Sequence, residues 1–448
     1  MRLGRVLVIA AVVAAPVIAP ITASLAQSNV NGSNNTSGGD ASSGSANGSN
    51  SASGQTGLAA TPSPTPSPSA QDVKNSNGTN VQEGSNRTTI HQTSNVRTGD
   101  VVVGQVIGAV VSSGNLTINA RNTSENVDAT SGDASGTNTA NTVTGLVSSG
   151  SSQVADAAFA GLAIADNPNA KTADLNNVVG RNVQQGSNST IVRQTVNAQT
   201  GDAVGGQVIG AVVNGGTTDI VASNRTVDSD ITTGDARGSN KTSGFTGLLD
   251  TQTSTVGAFA TDITGSTGVN VQEGDNRFIA SQVARSRSGD GIAGQVLGVV
   301  SAGNTRVDAS NVTTDSSVET GDAITDNRGS AFVGLLSAAT STVAAADLTG
   351  VTGTNLQDGR NKSTLNQNAD AVTGDGIAGQ VAGVVTSAGG SAALTLANTS
   401  TNIDSTTGEA RFSNASSLFD GLSVTRGGSV VANAADQPLS AIFKSAIS

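Results

Sequence analysis

The stretch Gln82-Glu83-Gly84-Ser85-Asn86, then Gln92, Gly99-Asp100 and Gly104-Gln105-Val106, decides how the chain is read, because it occurs four times. The second copy carries Gln184, Gly186, Asn188, Gln194, Gly201-Asp202 and Gly206-Gln207-Val208. The third carries Gln272, Gly274, Asn276, Gln282, Gly289-Asp290 and Gly294-Gln295-Val296. The fourth carries Gln357, Gly359, Asn361, Gln367, Gly374-Asp375 and Gly379-Gln380-Val381. The spacing Q-x-G-x-N-x5-Q-x6-G-D-x4-Q-V holds without a gap in all four. So many fixed positions make the copies homologous units.

The connectors repeat too. A second Gly-acid pair falls at Gly132-Asp133, Gly234-Asp235, Gly321-Asp322 and Gly408-Glu409. Each is followed by a Gly-Leu pair: Gly145-Leu146, Gly247-Leu248, Gly334-Leu335 and Gly421-Leu422. Two residues before that glycine stands Val143, Phe245, Phe332 or Phe419, a large apolar group suited to a packed interior layer. A valine follows at Val154, Val256, Val343 or Val430. The copies are expected over residues 79–181, with an insertion near 160–176, and over 182–269, 270–354 and 355–436, with a tail at 437–448. A period near 85 residues is long for one solenoid unit. Each copy is poor in large core residues and could hardly stand alone, so several coils per copy are expected rather than a small domain.

Segments such as Val101 to Val103, Leu116 to Ala120 and Asp219 to Ala222 are β-branched or alternating, and Gly, Asn, Asp and Ser interrupt the chain about every ten residues. Short strands joined by tight turns follow. The run from Gly104 to Val111 reads as a fully buried strand in preference to a small-residue helix turn, because of its valines. The fold class expected is all-β: a β-solenoid-like stack of four homologous repeats behind a disordered N-terminal stalk.

The candidate site residues are amides: Gln82, Asn86 and Gln92, then Gln184, Asn188 and Gln194, then Gln272, Asn276 and Gln282, then Gln357, Asn361 and Gln367. In stacked coils identical side chains lie one strand spacing apart, and amides then satisfy each other's donors and acceptors without charge. The plainer reading makes them surface residues kept by common descent of the copies. A Ser or Thr precedes every Gly-Asp and Gly-Glu pair. Such a tripeptide forms a tight turn, with glycine supplying positive φ and the acid and hydroxyl bonding the local backbone. Calcium held by stacked carboxylates is the alternative, but one carboxylate per turn falls short of the six or more oxygens calcium takes.

The run Gln82 to Gln92 resembles a curlin repeat, the Q-x-G-x-x-N-x5-Q type found in amyloid-forming curli subunits. The Asn-x5-Gln half agrees in all four copies. The first half is one residue shorter here, and curlin units follow each other at about a quarter of the present spacing. The likeness covers about a tenth of the chain. It implies stacked strand–turn–strand units and extracellular fibres.

Composition narrows the function. Arg2 and Arg5, an apolar run from Val6 to Ile18 and the small residues Ser24-Leu25-Ala26 form a secretory leader over residues 1–26. The run is too short and too interrupted by Pro16 and Pro20 for a comfortable membrane anchor. No later stretch is apolar enough to span, so the mature chain is expected to be secreted, extracellular or at the cell surface. Residues 27–78 hold mostly Ser, Asn, Gly, Thr and Ala and the run Thr61-Pro-Ser-Pro-Thr-Pro-Ser-Pro-Ser69, a composition expected to be disordered. There is no cysteine and one histidine, His91, which excludes disulfides and multi-histidine metal sites. At that position the other copies have Arg193, Ser281 and Asn366, so His91 is expected to be exposed and inert. Aromatics are 2% of the chain, with no Trp or Tyr, against a membrane barrel's girdles and against base stacking. The net charge is −11, and −13 once Arg2 and Arg5 leave, which disfavours nucleic acid.

A right-handed β-helix can carry polysaccharide lyases, but the acids here recur by repeat and no single asymmetric cluster stands out. The expectation is therefore no enzyme, no cofactor and no metal. The partners expected are further copies of the chain or an extracellular or cell-surface polymer. The structural role competes with a carbohydrate- or surface-binding adhesin that stays monomeric.

Overall fold

A computed structural model describes residues 28–60, 73–74, 77–111, 115–150, 175–176, 179–256, 263–264, 267–337, 340–343, 348–349, 352–386 and 391–424. The leader, the Pro-rich run, most of the insertion, Val154, Val430 and the tail at 437–448 lie outside them.

The described residues form strands, and every strand pairing is parallel. Asn86–Arg97 pairs with Asn188–Gln199 so that Asn86 meets Asn188 and Gln92 meets Gln194. The same register carries on to Asn276–Arg287 and Asn361–Val372. The fold is thus an all-β, solenoid-like stack in which each residue sits on its counterpart one copy away.

Each copy is one layer, about 4.8 Å thick at the spacing of neighbouring strands. This corrects the expectation of several coils per copy. The physical reason is that a thin core suffices when neighbouring layers, rather than the layer itself, satisfy the backbone. Within layer one a leading arm runs through Asn77–Gln82, Asn86–Arg97 and Val101–Val111. A returning arm runs back through Leu116–Thr130 and Ala134–Gly150. Small apolar clusters lie between the arms. One joins Ile118, Ile209, Ile220, Leu297 and Val307, and another joins Val192, Phe278, Ala280 and Val333. Leu146, Leu248 and Leu335 stack in a fully buried column. Beside them Phe245, Phe332 and Phe419 stack with ring centroids 5.5 and 4.8 Å apart.

The two arms are staggered by half a layer. Thr88 on the leading arm bonds to Thr56 at 2.9 Å and to Thr144 at 2.7 Å, which belong to successive returning arms. Thr190 repeats this between Thr144 and Thr246.

The disorder expected of residues 27–78 is corrected over much of that stretch. Ser28–Ser42 pairs with Leu116–Thr130, and Ala46–Thr56 pairs with Ala134–Gly150. Among the described residues the stack therefore opens with a half-layer, a returning arm with no leading arm ahead of it. Its composition reads as disordered because a stack of amide and small-residue columns needs few bulky side chains.

The run from Gly104 is a strand but not a fully buried one. Val101 and Gln105 point inward, while Val102 and Val106 are 40% and 41% exposed.

Candidate functional site

The amides form columns along the stack. Gln194 donates to Gln92 at 2.8 Å, Gln282 to Gln194 at 2.9 Å and Gln367 to Gln282 at 2.8 Å. The second hydrogen of each Nε2 goes to a carbonyl across the layer, as in Gln194 to Lys241 at 3.0 Å. Asn86 donates to Asn188, Asn188 to Asn276 and Asn276 to Asn361 at 2.9 to 3.0 Å. Gln82, Gln184 and Gln272 sit beside this column and each donate at 3.0 Å to the asparagine one layer on. Their other hydrogen goes to the carbonyl of Gly84, Gly186 or Gly274, which fixes the amide orientation. The Oε1 atoms of Gln82, Gln184, Gln272 and Gln357 are then buried without a donor among the described residues. All twelve amides singled out from the sequence thus lie in two neighbouring sets of columns.

Four further columns were not singled out as amide sites, although Gln105 and its counterparts belong to the repeat motif itself. Asn34, Asn122, Asn224, Asn311 and Asn398 form one, with links of 2.9 to 3.1 Å. Asn50, Asn138, Asn240, Asn327 and Asn414 form another, at 2.9 to 3.0 Å. Asn80, Asn182, Asn270 and Asn355 form a third. Gln105, Gln207, Gln295 and Gln380 form the fourth, with longer links of 3.1 to 3.3 Å. Constant offsets to asparagine in every copy were the available signal.

The columns have a direction. The Asn34, Asn50, Asn80 and Asn86 columns donate toward the C-terminal end of the stack; the Gln92 and Gln105 columns, and the exposed Asn31–Asn119 and Asn95–Asn197 pairs, donate toward the N-terminal end. At the last layer the buried Nδ2 of Asn361 has no partner among the described residues. That layer is also open: Phe412 is 71% exposed, and Leu394, Leu418, Phe419 and Leu422 are exposed as well.

The Gly-Asp turns are built between layers, not within them. The hydroxyl of Thr98 accepts the N–H of Gly201 at 2.9 Å, and Asp100 accepts the N–H of Asp202 at 3.1 Å. Thr200 and Asp202 do the same for Gly289 and Asp290. The expectation of positive φ at these glycines is corrected, since the positive-φ glycines include Gly145, Gly247 and Gly334 but none of the Gly-Asp set. What demands glycine is close approach: a Cβ on Gly201 would lie 2.2 Å from the carbonyl oxygen of Gly99. The left-handed position is instead a column of Gly38, Asn126, Asp228, Asp315 and Asn402, with φ between 49° and 65°. Asn and Asp tolerate that region better than other side chains.

Electrostatics is sparse. Partial burial pushes the Asp235 carboxyl up, but hydrogen bonds from Arg237 and from the Asp322 amide outweigh it and hold the group below its ordinary value. The Arg360 amide and guanidinium hold Asp275 below its ordinary value in the same way. His91 is exposed, 3.4 Å from the Arg193 guanidinium above it. Among the described residues no group of three or more His, Cys, Asp or Glu could hold a metal ion. No protein-family model, curated protein or solved structure matches this chain.

Proposed function

We propose that the chain is a secreted structural repeat protein of the cell envelope or extracellular matrix, adhering or associating with itself through its stacked β-layers. The observation that carries this reading is the open last layer. Among the described residues it presents strand edges without a further partner, and exposed Phe and Leu side chains. An uncovered edge is a template for another chain. The leader-like residues 1–26 and the curlin-like spacing support export and assembly, and the net charge of −11, which opposes close approach of copies, is screened at ordinary salt.

Column direction adds polarity. A second copy placed on the last layer continues the Asn34 and Asn50 columns of the returning arm only if its half-layer comes first, with Asn34 over Asn398 and Asn50 over Asn414; the leading arm skips one layer at this joint, so the Asn86 column is interrupted there. The reverse docking sets donors against donors. In this head-to-tail register Ser53 lies over Ser417, by extension of the pairing that links Ser53, Asn141, Ser243, Ser330 and Ser417. Within one molecule these serines are four layers, about 19 Å, apart, too far for a disulfide.

A chain with S53C alone, mixed with a chain with S417C alone, is therefore expected to give a cross-linked heterodimer under mild oxidation. Homodimers alone would overturn the polarity, and no association in sedimentation would overturn self-assembly. The second reading is a monomeric adhesin. It is favoured by the half-layer itself, whose Ser-, Asn- and Gly-rich strands form the polar cap that repeat stacks use to stay soluble.

A further inference from the structure

The outer face of the leading arm carries a pattern that the fold does not need. Along Val101–Val111 and its counterparts, outward positions alternate between an apolar β-branched residue and glycine. Val102, Gly104, Val106 and Gly108 are matched by Val204, Gly206, Val208 and Gly210, by Ile292, Gly294, Val296 and Gly298, and by Ile377, Gly379, Val381 and Gly383. The next outward position holds Val212, Val300 or Val385 in copies two to four. No charge interrupts this face in any layer.

Most of these side chains are open to solvent: Val106, Val212, Val296 and Val300 are 38% to 48% exposed, whereas Val204 and Val208 are half-buried and Ile292 is buried. Nothing inside the molecule requires the glycines. A Cβ on Gly108, Gly210, Gly298 or Gly383 would meet no atom within 4 Å, and none of the four has positive φ. Glycine within a strand is less stable than alanine, so its recurrence in every layer needs an external reason. Interior strand glycines often mark a place where another backbone comes close.

We propose that this ribbed face is a lateral docking surface for the same face of a second copy. Stacked layers turn the valines into ribs and the glycines into grooves. Rib and groove lie two residues, about 6.6 Å, apart. A two-fold axis parallel to the stack, passing between the Val106 and Gly108 columns, sets the Val106 column opposite the Gly108 column, and Val212, Val300 and Val385 opposite the Gly104 column. The surface is thus its own complement. The overlap about this axis covers 103–111 of Val101–Val111, about 30 Å of strand, by four layers, about 19 Å, or about 570 Å² per copy, the size of a weak and reversible dimer interface. This inference does not rest on end-to-end stacking, which uses the other faces of the molecule.

The test fills the grooves of the two central layers. Gly210→Lys with Gly298→Lys puts two side chains into open space, so the melting temperature should hold while lateral dimerisation weakens at least tenfold in sedimentation equilibrium. The S53C and S417C cross-link, made in the same background, should persist, which separates this face from the end joint. Should the lysine variant fold poorly, Val212→Thr with Val300→Thr keeps β-branching and should weaken the dimer in the same direction. Unchanged dimerisation in a folded variant would overturn the proposal. So would a wild-type chain that forms no species beyond the end joint, or one that stays monomeric while its ribbed face adsorbs to a flat polysaccharide.

Discussion

Gln194 is the place to measure what an amide column contributes. Its Nε2 donates to Gln92 and to the carbonyl of Lys241, and its Oε1 accepts from Gln282 and from the hydroxyl of Thr242. The residue is 1% exposed. Gln194→Ala removes these bonds and leaves their partners in a site that water does not reach. At about 1 kcal/mol net for each bond, the loss is about 4 kcal/mol before any cavity term. Gln367 fills the same position in the open last layer, where its partners are Gln282 and the carbonyls of Asn327 and Ala415. Water can replace much of that set, so Gln367→Ala should cost about 1 kcal/mol. Urea unfolding of both variants, followed by circular dichroism, gives the comparison. Equal losses for the two, or a loss below about 1 kcal/mol at Gln194, would refute the idea that stacked amides hold the layers together.

Gly201→Ala should destabilise by about 3 kcal/mol, because the new Cβ meets the Gly99 backbone at 2.2 Å, whereas Gly210→Ala should be neutral or slightly stabilising; urea midpoints decide both. Asn126, at φ 52°, should gain up to about 1 kcal/mol as Asn126→Gly and lose about as much or more as Asn126→Val. Because Asp235 and Asp275 have lowered folded-state pKa values, their stability is present above the ordinary carboxylate value and is lost as pH falls through the lowered one. The gap in midpoint between wild type and Asp235→Asn should therefore be seen at neutral pH and close in strong acid. Calcium or a chelator should leave the melting temperature unchanged, since the turn carboxylates already accept backbone N–H groups from the next layer.

The four copies and the strand character were legible because homologous columns impose identical spacing on every layer. The amide ladders were legible in principle from Gln92 and its counterparts, since an uncharged group that must pair with itself is Gln or Asn. The half-layer was hidden by its composition, although Ser43-Gly44, Ala46, Asn50 and Thr56-Gly57-Leu58 repeat Ser131-Gly132, Ala134, Asn138 and Thr144-Gly145-Leu146. Hydrophobic content is the wrong detector where interlayer amide bonds replace a thick core. The role of Gly201 and Gly289 was misread because a turn glycine suggests positive φ, whereas here the strand spacing itself excludes a Cβ. The ribbed face was invisible without knowing which residues of the Gly104 run point outward.

One layer per copy also governs where the chain can change length. Copies one and two keep an offset of 102 residues along both arms, so the additional residues of copy one fall between Gly150 and Leu175, after the layer has closed. Between copies two and three the offset drops from 88 to 87 at Asn214/Thr217, where the chain reverses from leading to returning arm. Between copies three and four it is 85 on the leading arm and 87 on the returning arm. Insertions and deletions have thus collected at the reversal and at the exit. A single residue gained inside a strand would put every later side chain of that layer on the wrong face, whereas the loss of a whole copy would leave every remaining column intact and lower the stack by one strand spacing.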